Sequence, residues 1–137
     1  MKKILVLCTG NSCRSQIAEG YLKLFLKGKA QVFSAGTKNH KINKYAIETM
    51  KDDGIDISTH SSNHVSEFKK IKFDYVITVC DHAKETCPIF ISNSSTKIHK
   101  NFFDPSSITK SEKIKRAFEL CRDEIKKFCY DFSKNLN

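Results

Sequence analysis

The feature that most constrains this chain is how it begins. Residues 3–7 place Ile4-Leu5-Val6-Leu7 behind a lysine, a continuous apolar run without polar alternation. Such a run reads as a strand buried on both faces of a parallel sheet. It stops at a polar loop, Cys8-Thr9-Gly10-Asn11-Ser12-Cys13-Arg14-Ser15. A helix follows, with Ser15 as candidate N-cap and Gly28 as candidate C-cap. Its apolar positions, Ile17, Tyr21, Leu24 and Phe25, fall at i, i+4, i+7 and i+8. Strand, ligand-sized loop and helix in that order set the frame for everything downstream.

The same alternation continues. Residues 31–35 read as a second strand ended by Gly36, and 43–53 as a helix with Ala46, Ile47 and Met50 inward and Gly54 beyond its end. Phe73–Cys80 reads as a third buried strand and 97–99 as a weaker fourth. Residues 92–96 read as a loop. Residues 111–129 read as the last helix, with Ile114, Ala117, Phe118, Cys121, Ile125 and Phe128 on one face. Strands alternating with helices predict an α/β fold: one domain over 1–137, a four-stranded parallel sheet and helices on both faces. A ligand loop after the first strand predicts the order 2-1-3-4.

Charge narrows the function classes. The 24 Lys+Arg exceed the 15 Asp+Glu by nine. The excess is dispersed: residues 110–127 carry seven basic and four acidic side chains, the pattern of a solvated helix face. No aromatic–basic interleaving suits a nucleic acid, and no apolar run suits a membrane. The N-terminal apolar run is too short for a signal peptide, so the chain reads as cytoplasmic, without nucleic-acid or membrane partners; a monomer is expected. Six cysteines (8, 13, 80, 87, 121 and 129) occur without any Cys-x2-Cys spacing. In a reducing compartment they point to thiol chemistry or packing before zinc.

The loop explains its own composition. A turn wrapped at a helix N-terminus aims several backbone N–H groups at one point, and the helix dipole adds positive potential. Gly10 relaxes the backbone. Arg14 offers two parallel hydrogen bonds to a tetrahedral oxyanion. Cys8, Thr9, Gly10, Asn11, Ser12, Cys13 and Arg14 are therefore the candidate anion-binding set. Cys8, at its floor, is expected to ionise well below a free thiol and act as nucleophile. Cys13 reads as a packing cysteine, and Cys121 and Cys129 as core. Cys80, at the end of the third strand, falls at the same sheet edge as Cys8. Cys87 follows after a polar stretch suited to a short, labile helix.

The loop with Gln16, together with Ser34-Ala35-Gly36-Thr37, Gly54-Ile55-Asp56-Ile57-Ser58, Cys80-x6-Cys87-Pro88 and Phe103-Asp104-Pro105, resembles the thioredoxin-coupled arsenate reductases. These belong to the superfamily of low-molecular-weight protein tyrosine phosphatases. The resemblance implies that Cys8 attacks arsenate, Cys80 attacks Cys8 to release arsenite, and Cys87 attacks Cys80. The Cys80–Cys87 disulfide would then be reduced by thioredoxin, or by glutaredoxin in a variant scheme. It further implies Ser15 as a support for the thiolate, Asp104 as proton donor, and arsenate, phosphate or sulfate as ligands. It implies no organic cofactor. In some relatives a potassium ion lies beside the loop, at positions matching Asn11, Glu19, Ser34 and Asn63. Asn63 stands where Asp is common, which removes a charged oxygen from that set.

A phosphatase is the alternative. It needs Cys8, Arg14 and Asp104 alone. Two departures favour the reductase: Gln16 replaces the proline usual after Arg-Ser in phosphatases, and Ser106 replaces the tyrosine usual after Asp-Pro. A non-catalytic anion- or partner-binding module is the third reading, and leaves the redox cysteines unexplained. His82 and the other histidines form no recognisable metal motif.

Overall fold

A computed structural model describes residues 1–88, 91 and 95–136. Its elements are β1 (Lys2–Cys8), α1 (Arg14–Phe25), β2 (Ala30–Gly36), α2 (Lys44–Asp52), β3 (Tyr75–Thr78), α3 (Asp81–Thr86), β4 (Thr96–His99) and α4 (Ser111–Lys134). The four strands pair in parallel in the order β2-β1-β3-β4, as the sequence predicts. Of the predicted 92–96 loop, residues 92–94 lie outside the described residues.

β1 is central because it is apolar on both sides. Ile4, Leu5, Val6 and Leu7 are each 0% exposed, and burying each contributes about 2 kcal/mol. Side chains alternate across the sheet. Ser34 of β2 reaches Glu19 of α1, so that face carries α1. Phe33, one residue earlier, points the other way and packs edge-on against Phe68 and Phe73. α4 packs beside α1 with Phe118, Cys121, Ile125 and Cys129 buried at helical spacing. It runs to Lys134, beyond the predicted end.

Several local readings are corrected. The N-cap of α1 is Cys13, without a side-chain capping bond, and not Ser15. Ser15 is fully buried because its hydroxyl accepts from Asn11 Nδ2 at 2.8 Å. Leu24 is 55% exposed, since α1 buries Ala18 and Leu22 instead. The helix caps at Leu26, and Gly28, at φ 79°, lies in the turn beyond. β3 ends at Thr78, so Cys80 is not in the strand but caps α3. α2 begins where Asn43 Oδ1 accepts from Tyr45 N at 2.8 Å.

Candidate active site

The loop between β1 and α1 is built from outside itself. Asn11 holds a left-handed φ of 51°, a conformation its short amide side chain tolerates. Its Nδ2 donates to Ser15 Oγ and Ser34 Oγ, and its Oδ1 accepts from Asn63 N at 2.7 Å. Gly10 was expected to supply backbone freedom. Its role is instead close approach: a Cβ there would meet His40 Nδ1 at 2.8 Å. Residues 38–43 line the loop, with Lys38 N–H donating to Thr9 O, His40 N–H to Gly10 O and Asn43 N–H to Ser12 O. Gly36 lies where this backbone crosses β2. A Cβ on it would fall 2.2 Å from Lys38 O and 2.5 Å from Thr9 O.

Arg14 is fixed from one side only. Its Nη1 donates to the carbonyl of Phe102 at 2.9 Å, and its Nη2 lies 3.7 Å from Asp104 Oδ2. Its Nε is buried without a partner among the described residues. A buried N–H left so is costly unless a ligand uses it, which fits an oxyanion clamp. Burial opposes the guanidinium's charge, but Cys8, Asp104 and Cys80 around it hold it protonated. Asp104 divides its carboxylate: Oδ1 caps a turn by accepting from Ser106 N at 3.0 Å, and Oδ2 faces Arg14.

Cys8 and Cys80 meet, 72 positions apart, with both sulfurs in buried residues and a hydrogen bond between them. That bond, donated by Cys8, holds Cys80 down at about 5. The Thr9 hydroxyl at 3.3 Å, the Ala83 N–H at 3.4 Å and Arg14 assist against the cost of burial. The same bond, then burial, pushes Cys8 well above the ordinary thiol range, with Arg14 pulling it back. One low ionisation belongs to the Cys8–Cys80 sulfur pair as a unit, with Arg14 favouring the charge on either sulfur. No bond from Ser15 to Cys8 occurs among the described residues; Ser15 instead braces the loop through Asn11. Cys13 is buried, and burial first, then the nearby Cys121 and Asp104, raises it.

Cys87 caps the far end of α3 and is partly buried. The six residues of α3, at 1.5 Å each, hold Cys80 and Cys87 at its opposite ends, about 9–10 Å apart. A disulfide needs about 7 Å or less, so α3 must unwind for the two to join.

The four positions suggested for potassium converge, but their oxygens are engaged. Ser34 Oγ donates to Glu19 Oε1, and Lys23 Nζ lies 2.5 Å from Glu19 Oε2. Asn63 turns its Nδ2 toward Ser34 O, and its Oδ1 accepts from Ser61. The Lys23 ammonium supplies the positive charge that a cation would bring. The set as arranged does not fit bound potassium. Glu19 is no surface residue, being 6% exposed. Beside it the His60 Nδ1–H donates to Gln16 Oε1 at 3.0 Å, and burial lowers the histidine's pKa against the pull of Glu19.

Sequence reasoning missed several of these contributors. Gln16 was noted only as a departure, yet its Nε2 donates to Asn11 O and Ser61 O, tying the loop to residues 58–63. Thr9 on Cys80 and the Phe102 carbonyl on Arg14 carry no local signal.

Comparison with known proteins follows this geometry. The family model described as low molecular weight phosphotyrosine protein phosphatase matches residues 3–137. The chain belongs to this family. Within it, the chain is 46% identical over 125 residues to arsenate reductase 1 of Staphylococcus epidermidis, covering 91% of this chain and 90% of that one. It is 42% identical over 134 residues to the arsenate reductase of Halalkalibacterium halodurans, covering 97% and 96%. A solved arsenate reductase in a phosphate-binding state superposes with a TM-score of 0.87 at 28% identity, each chain covered completely. No helix among the described residues is long and apolar enough to cross a membrane.

Proposed function

We infer that this chain reduces arsenate to arsenite. The observation that carries the reading is the second sulfur: Cys80 shares the anion loop with Cys8 and Arg14. A phosphatase has no use for it. The relatives named as arsenate reductases support the same reading.

The chain's residues divide the work. The loop N–H groups and Arg14 hold arsenate, as they would hold phosphate or sulfate. The pair carries one negative charge, so the proton passes to Cys80 as Cys8 attacks arsenic. An As–S bond forms, and one As–O bond breaks as water leaves, protonated by Asp104. Cys80 gives its proton to an arsenic-bound oxygen and attacks Cys8 Sγ. The S–As bond breaks, its electron pair stays on arsenic, and As(V) leaves as As(III) while two thiols become the Cys8–Cys80 disulfide. Cys87, as thiolate, then attacks Cys80 Sγ, and Cys8 departs as a thiolate. The Cys80–Cys87 disulfide takes two electrons and two protons from a dithiol partner. Thioredoxin is the partner inferred, because the relay ends in a protein disulfide; glutaredoxin with glutathione is the alternative. The enzyme is read as a cytoplasmic monomer, where such a reductant is at hand.

Phosphatase turnover is the secondary activity, favoured by Asp104 at the Arg14 edge of the loop. The test is NADPH consumption with thioredoxin and thioredoxin reductase, before and after arsenate is added. Arsenate-dependent oxidation, lost in Cys8→Ser, Cys80→Ser and Cys87→Ser alike, supports the relay. Brisk p-nitrophenyl phosphate hydrolysis without such oxidation would replace it with a phosphatase.

A further inference from the structure

The relay ends only when α3 comes apart, so whatever keeps α3 wound sets when that happens. The helix has six residues and buries only Ala83. A 230 Å³ cleft separates it from the sheet edge, lined by Val76, Thr78, Lys84, Cys87, Ile98 and His99. A helix this short is unstable alone, and weak packing leaves it dependent on its anchors.

Three polar anchors hold its first turn. The Ala83 N–H donates to Cys80 Sγ at 3.4 Å. The Asp81 N–H donates to Asn101 Oδ1 at 3.1 Å. Asp81 Oδ1 lies 2.7 Å from His99 Nε2, and His99 Nδ1 lies 2.7 Å from Thr78 Oγ1. His99, the last residue of β4, thus bridges the start of α3 to the end of β3. The first anchor depends on the state of the sulfur. A thiolate accepts strongly, whereas a sulfur already bonded to Cys8 carries no charge and accepts weakly. The His99 bridge touches neither sulfur and outlasts that step.

We propose that the Asp81–His99–Thr78 clasp is a timing latch for the relay, keeping α3 wound and Cys87 out of reach until the Cys8–Cys80 disulfide has removed the sulfur anchor. Asp81 and His99 are positioning residues. They act on the exchange in which Cys87 displaces Cys8 from Cys80, one S–S bond forming as the other breaks. The inference rests on the reductase reading for its timing, and not for the clasp itself.

The test has two arms on the purified full chain. Hydrogen exchange of the amides of residues 82–87, in the reduced protein without arsenate, should speed up about two- to fivefold in Asp81→Ala and His99→Ala, the range set by a partly exposed pair. Asp81→Asn keeps the acceptor and should stay near the parent. After arsenate is added, rapid acid quench and disulfide mapping should show the Cys8–Cys80 species shortened by the same factor. Arsenite release and p-nitrophenyl phosphate hydrolysis should match the parent. Unchanged exchange at 82–87 overturns the latch, as does an unaltered lifetime of the Cys8–Cys80 species. If the parent releases no arsenite, the functional reading fails while the exchange arm still decides the clasp. Should the alanine variants not fold by circular dichroism, Thr78→Val breaks the same bridge from the strand side and is held to the same two outcomes.

Discussion

The hydroxyl of Thr9 lies 3.3 Å from the sulfur of Cys80. A residue of the anion loop thereby contributes to ionising a thiol that caps the start of α3. Thr9→Ala removes one donor from that sulfur. The low thiol ionisation should rise from about 5 by roughly one unit. The pH dependence of iodoacetamide alkylation, followed by mass mapping of Cys80, measures it. The parent's alkylation rate should be flat above pH 6 and fall through about 5. A parent midpoint near that of a free thiol would remove the activated-pair argument.

Separating the two chemistries needs only the cysteines. Cys80→Ser should abolish arsenate reduction and leave p-nitrophenyl phosphate hydrolysis within about threefold of the parent, since the nucleophile and Arg14 remain. Cys87→Ser should release about one arsenite per chain and then stop, trapped as the Cys8–Cys80 disulfide. Arsenite yield in a single-turnover experiment checks this.

Lys23 already pairs with the Glu19 carboxylate. The parent's Tm should therefore be the same in potassium chloride and choline chloride at equal ionic strength. Lys23→Met combined with Asn63→Asp frees Glu19 and restores a charged oxygen. Potassium should stabilise that double variant by about 1 kcal/mol at a few times its Kd. Calorimetry in the two salts decides between these outcomes.

Gly36 has no room for a side chain, because the carbonyls of Lys38 and Thr9 lie where a Cβ would be. Gly36→Ala should cost about 1–3 kcal/mol, occasionally more, and displace the loop. Chemical denaturation gives the stability, and phosphate titration the binding. A variant of parental stability and affinity would mean that the 38–43 segment yields freely.

Asp53 is lowered first by the hydrogen bond from Lys126, then by that from Tyr21. A carboxyl lowered on folding contributes stability above its unfolded pKa and loses it as pH falls through the folded value. Asp53→Asn should thus be less stable than the parent at neutral pH, with the gap closing in acid below the ordinary carboxylate range. Urea midpoints across that range test the sign.

The sheet was legible because β1 is apolar on both faces and each later strand is followed by a polar break. The helix boundaries were less so. Ser15 has the composition of an N-cap, yet its hydroxyl is claimed by Asn11, a competition that no propensity encodes. Leu24 fits the periodicity of α1 but falls beyond the edge of its buried stripe. Gln16 and Glu19 looked like ordinary helix positions because their partners, Asn11, Ser34, His60 and Ser61, come from other segments.

The sequence by itself determined the parallel order of the strands, the loop that cradles an anion, and the candidate thiols. These follow from hydrophobic period and from local spacing, which short-range sterics and solvation enforce. Tertiary structure alone decided that Cys80 meets Cys8 and shares its ionisation, that Lys23 pairs with the buried Glu19, and that His99 ties α3 to the sheet. Each depends on groups brought together from distant segments by packing. A pKa or an ion pair is set by whichever neighbours the fold delivers, and no local pattern carries that information.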